Sequence, residues 1–156
     1  MSGRVWPSVG VGGAFMNFSG AVESGFRRYV DFNGRSSRSD FWFWILFYYA
    51  MWFGVLIALG IGGAVAAGGA GYRGFEGLVY LAFIAGFACP NLAFIVRRLH
   101  DTNRSGWWYF ISFTIVGLIP LIIWLCARGT LGENQYGADP LSADQPTIKT
   151  DEAWVN

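Results

Sequence analysis

The residues best placed to do chemistry gather in one short stretch, Arg97-Arg-Leu-His-Asp-Thr-Asn-Arg-Ser-Gly-Trp-Trp108. It holds the only histidine of the chain, His100, next to Asp101, and three of the eleven basic residues, Arg97, Arg98 and Arg104. A histidine beside a carboxylate suggests a general base, but the carboxylate must orient the ring, which adjacency in sequence does not ensure. Ser105 lacks the Gly-x-Ser-x-Gly elbow that would present it as a nucleophile. No catalytic residue is therefore assigned, and the protein is expected not to be an enzyme. Arginine suits another chemistry, because its planar fork matches phosphate oxygens two at a time. Arg35, Arg38, Arg97, Arg98 and Arg104 are the candidates for binding a lipid headgroup or phosphate. A structural reading stands beside it. Asp40, His100, Asp101, Trp107 and Trp108 would fix the loop, with Asp40 and Asp101 pairing to arginines, and Arg97 and Arg98 suit the negative end of a helix. One histidine and two distant cysteines, Cys89 and Cys126, give no ligand cluster, so no metal or cofactor is expected. Both cysteines read as small buried apolar side chains.

The elements that position these residues are apolar. Of 156 residues, 54% are hydrophobic and 13% charged, against about a quarter charged in a soluble domain. Lipid can solvate such a surface where water cannot. The net charge of +1 argues against a nucleic-acid partner.

Residues 1–13 are rich in Gly and Ser and predict a flexible tail. Phe15, Phe18, Val22, Phe26 and Tyr29 recur at helical spacing, so residues 14–31 predict an amphipathic helix lying on a membrane surface, on the protein's own bundle, or on both. Asn33-Gly34 marks a turn, and Ser37 and Asp40 have capping-box spacing ahead of an apolar run. That run predicts a first span over about 40–66, with Trp42 and Trp44 in the interfacial belt. It begins too late and runs too long for a cleaved signal, so it should act as an uncleaved anchor. Gly54, Ala58 and Gly62 permit close helix contact. A far-side loop carrying Arg73 and Glu76 precedes a second span over about 76–97. Pro90 should kink this span, and Asn91 needs a partner on another helix. A third span is expected over about 106–127, bent at Gly117 and Pro120, with a disordered tail over 141–156. The expected fold is all-α, a 14–140 membrane domain of three transmembrane helices plus the interfacial helix. Three spans put the ends on opposite sides. Eight basic residues fall on the N-terminal side and three on the other, which predicts an inside N-terminus and an outside C-terminus. A fold-back at Pro120 would return the tail to the inside.

Three strings together resemble a family of bacterial inner-membrane proteins, the domain of unknown function 805. They are Tyr29-Val-Asp-Phe-Asn-Gly-Arg-Ser-Ser-Arg-Ser-Asp-Phe-Trp42, the Arg97–Trp108 string, and Gly129-Thr-Leu-Gly-Glu-Asn-Gln-Tyr-Gly-Ala-Asp-Pro140. Their order and separation match over about residues 26–140. Gln135 stands where the family usually has a basic residue, and the Gly/Ala run before Arg73 is longer than usual. The resemblance implies an integral inner-membrane protein and no defined activity. From the residues, the expectation is a non-enzymatic scaffold or adaptor whose basic inner face binds anionic headgroups or a partner protein. The alternative is a subunit of an oligomeric small transporter or channel.

Overall fold

The computed structural model of the chain describes residues 17–65 and 70–142. The tail expected over 1–13 lies outside the described residues, as does all but the start of the tail expected over 141–156. The described residues form four α-helices and one 3-10 helix, with no strand.

Helix α1, Phe18–Arg27, is capped by the Asn17 side chain, which accepts from the Gly20 N–H. It ends sooner than its apolar spacing predicts. Tyr29 falls past the end, where its hydroxyl donates to the Gly86 carbonyl. Phe18 meets Phe43 and Phe47, while Phe26 meets Trp44 and Phe47. Both ends of α1 thus touch the same rungs of the next helix, so α1 lies across it. Ala21 and Gly25 are buried, and a Cβ on Gly25 would strike the Trp44 ring at 2.1 Å. Phe18 and Phe26 stay about half exposed, so α1 packs on the bundle and leaves both rings partly uncovered.

Helix α2, Arg38–Val65, and helix α3, Ala70–Asp101, are the two elements long and apolar enough to cross a membrane. At 28 and 32 residues and 1.5 Å per residue they reach about 42 and 48 Å, well beyond a core of about 30 Å. The predicted capping box opens α2. The Asp40 N–H donates to Ser37 Oγ and the Ser37 N–H to Asp40 Oδ2, each at 3.3 Å. The far-side loop is shorter than expected, and Arg73 and Glu76 lie on α3. A bilayer requires backbone groups to be satisfied within the helix, which outweighs the helix penalty of the glycines. The Tyr72 hydroxyl closes the far end by donating to the Leu59 carbonyl. Gly62 touches Tyr72, but nothing lies within 4 Å of a Cβ on Gly54, so the small-residue stripe makes no continuous helix contact. Helix α3 runs on through Pro90.

Trp42 is exposed, but Trp44 is fully buried and leaves the interfacial belt predicted for it. It stacks on Phe94 at 5.0 Å and donates to Asn91 Oδ1 at 2.7 Å. This is the partner Asn91 requires. Phe41, Trp44, Phe94, Leu99, Leu121 and Leu125 form the core. Cys89 and Cys126 are exposed, contrary to the burial expected of them, because both sit on outward faces of helices packed by their other sides.

The largest correction concerns the third apolar run, which is not one spanning helix. It consists of a 3-10 helix, Gly106–Phe113, and a separate helix α4, Ile115–Cys126. The break falls at Thr114, not Pro120. Thr114 is extended, and its Oγ1 donates to the Ile111 carbonyl at 2.8 Å while accepting from the Gly117 N–H at 3.1 Å. The two pieces fold back on each other, and a Cβ on Gly117 would come within 2.1 Å of the Ile111 carbonyl oxygen. The chain enters this hairpin beside Val96 and leaves it beside Arg98. Among the described residues two helices, not three, are long enough to span, and residues 127–142 return to the end of the bundle that carries the Arg97–Trp108 loop.

Candidate functional site

The fold-back brings all three sequence strings into one polar clasp. At its centre, Asp101 accepts from Arg35 Nε at 3.0 Å on Oδ1 and from Arg98 Nη1 on Oδ2. All three side chains are buried, at 4% exposure or less. The remaining donors of both arginines go to backbone carbonyls. Arg35 donates to Thr130 and Gly132, and Arg98 donates to Leu125 and Ala127. These carbonyls lie at and just past the end of α4, where helical partners run out. The Asp101 carbonyl in turn accepts from the Thr130 N–H at 2.8 Å. A Cβ on Gly129 would lie 2.1 Å from Asp101 Oδ2, so any side chain at that position must displace the carboxylate.

His100 and Asp101 do not form a dyad. The Asp101 carboxylate is taken by arginines, while His100 Nδ1 faces the Gly34 carbonyl at 3.2 Å and its ring stacks on Tyr136 at 3.8 Å. Asn134 ties the turn down by donating to the His100 carbonyl and to Thr130 Oγ1. Ser105 Oγ accepts from the Trp107 N–H at the start of the 3-10 helix. Among the described residues no group of His, Cys, Asp and Glu is placed to hold a metal.

The five candidate arginines therefore separate. Arg35 and Arg98 are internal struts with no free fork. Arg97 is 1% exposed, lies over the Phe94 ring at 4.5 Å, and has no hydrogen-bond partner on any of its three nitrogens among the described residues. Asp40 Oδ1 is likewise buried without a partner. Arg104 is half-buried over the Trp124 ring at 4.6 Å. Only Arg38 is exposed. It lines a cleft of about 210 Å³ with Ser37, Gly129, Thr130, Asp139 and exposed Arg128. Of the loop-fixing candidates, Asp101 pairs with Arg35 and Arg98, His100 faces the Gly34 carbonyl, and Asp40 caps α2. Trp108 meets Trp124 edge-on at 5.4 Å. Trp107 is 77% exposed and stacks on Phe110 within its own helix. Beside the clasp, burial raises the Asp31 carboxyl's hold on its proton, but the Asn33 N–H and the Arg28 guanidinium outweigh it and lower its pKa. Arg128, Gly129, Thr130, Asn134 and Tyr136 were missed as site residues. The polar turn after the third apolar run was their signal, hidden by a topology that put it on the opposite side.

A family model described as protein of unknown function (DUF805) matches residues 29–138. Inner membrane protein YhaI of Escherichia coli (strain K12) is 36% identical over 117 residues, covering 73% of this chain and 89% of the relative. Inner membrane protein YhaH of the same strain is 35% identical over 117 residues, covering 73% and 90%. The uncharacterized protein YiiR is 29% identical over 136 residues, covering 69% and 84%. No solved structure matches. The matched residues begin at the first string of the clasp and end in the third. With two helices long enough to span and inner-membrane relatives, this is a transmembrane protein of the inner membrane, and the chain belongs to the DUF805 family.

Proposed function

We propose that the protein is a non-enzymatic membrane scaffold or adaptor whose basic face engages the phosphates of anionic lipid headgroups, through Arg38 and Arg128. One observation carries the reading: these two exposed arginines line the same cleft, and neither has a hydrogen-bonded acceptor among the described residues. Basic clusters beside a span attract anionic lipid, and guanidinium forks fit phosphate. Asp139 on the rim opposes an anion only in part, since its carboxylate accepts from the Gly132 and Leu141 N–H groups. Eight of the nine described basic residues lie at or near the clasp end, with Arg73 alone at the other. The positive-inside rule then orients the clasp, including residues 127–142, toward the cytoplasm.

The test is the lipid complement of protein purified in mild detergent. Arg38→Gln with Arg128→Gln is expected to deplete co-purifying anionic lipid severalfold without lowering the yield of folded protein. An unchanged lipid complement would refute the reading.

A further inference from the structure

The hairpin of the 3-10 helix and α4 has two ends at the clasp and a tip at Phe113–Ile115. Its 12-residue α4 reaches about 18 Å, against a bilayer core of about 30 Å. The tip therefore lies near mid-depth, roughly level with the middle of α3. Its outer face is apolar: Phe113, Ile115, Val116, Ile119, Ile122 and Ile123 are all exposed, Ile115 at 87%. The turn carries its own polar compensation, because Thr114 satisfies both the Ile111 carbonyl and the Gly117 N–H. Such a cap also serves helices in water, where it contributes about 1 kcal/mol. In hydrocarbon the same cap is required, since an unmade backbone bond there costs several kcal/mol, so the exposed apolar face and the capped turn together suit a lipid environment. The occupant that fits this surface is the acyl chains of one leaflet.

The consequence is asymmetry. Among the described residues, the half of the molecule near the clasp holds α1, the hairpin and the ends of α2 and α3, whereas the far half holds only α2 and α3. We propose that the protein is a wedge, broad in the clasp-side leaflet, and that it favours membrane curved with that leaflet on the convex side. The surface recognised is then bilayer shape, independent of headgroup charge.

The experiment uses the full chain in giant vesicles of neutral lipid only, from which thin tubes are pulled. Cys89→Ala, Cys126→Ala and Leu131→Cys allow an impermeant dye to mark molecules whose clasp faces outward. Labelled molecules should be enriched severalfold on the tube relative to the flat membrane. Equal density on both would overturn the proposal. Its premise is read separately with a fluorophore at Ile115→Cys in the same cysteine-free background. Quenching by acyl chains brominated near their ends should exceed quenching by labelled headgroups, and the reverse order would also overturn it. Neutral lipid keeps this outcome distinct from that of the headgroup reading.

Discussion

The two ends of the α2–α3 pair solve opposite problems. At the far end, the Leu59 carbonyl and the Tyr72 hydroxyl close a run rich in glycine and alanine, with Arg73 the only described basic residue there. At the clasp end, three strings distant in sequence are locked by Arg35, Arg98 and Asp101 around backbone carbonyls. The far end is closed by groups only 13 positions apart, whereas the clasp end is satisfied only when residues about 100 positions apart meet. Substitutions should therefore be severe at one end and mild at the other.

Asp101→Asn should give the largest effect. It removes the charge that two buried guanidinium groups share, and breaking such a pairing costs about 3–5 kcal/mol. The amount of folded protein recovered from membranes should fall sharply, and Arg98→Gln should behave alike. Gly129→Ala comes next, at about 1–3 kcal/mol, because its Cβ would displace the Asp101 carboxylate. Its far-end counterpart, Gly60→Ala, meets nothing and should hold or slightly raise the melting temperature in detergent, since glycine costs up to about 1 kcal/mol relative to alanine in a helix. Tyr136→Ala should cost about 1 kcal/mol through the lost His100 stack.

Arg97 and Arg98 sharpen the contrast within the clasp itself. They are adjacent and both buried, yet Arg97 has none of the hydrogen bonds that satisfy Arg98. A buried guanidinium without hydrogen bonds bears its desolvation cost uncompensated, and an apolar side chain of similar size removes that cost. Arg97→Met should thus retain or raise thermal stability where Arg98→Met lowers it. A comparable loss from both would remove the distinction. The smallest effect concerns pH. The Asp31 pKa is lowered in the folded state, so its contribution is present above the unfolded value and is lost as pH falls through the folded one. The carboxylate is 39% exposed, so the difference between the wild type and Asp31→Asn on acidification should be slight and in that direction.

Much of this was legible in the sequence because it is local. The Ser37–Asp40 capping box, the start of α2 and the need of Asn91 for a partner all follow from residues a few positions apart. The clasp was half legible. Asp101 reads as a partner for arginine, but which arginines depends on where residues 129–140 return. That was obscured because residues 105–127 are uncharged over a length that suits one span. The residue that breaks the run is Thr114, whose side chain serves both halves of a hairpin, and neither composition nor length reveals it. Prolines draw attention to Pro120, which α4 accommodates within its length. Trp44 shows the same limit, since an aromatic near a helix start reads as interfacial until the facing helix supplies Phe94 and Asn91.

The fold-back of the third apolar run puts Leu131 and Asn103 at one end of the α2–α3 pair and Arg73 at the other. Single cysteines at these three exposed positions, in a background with Cys89 and Cys126 replaced by alanine, can be probed in sealed vesicles with an impermeant thiol reagent. The fold-back predicts that positions 103 and 131 label together and position 73 only from the opposite side. Labelling of position 131 together with 73, and apart from 103, would contradict it.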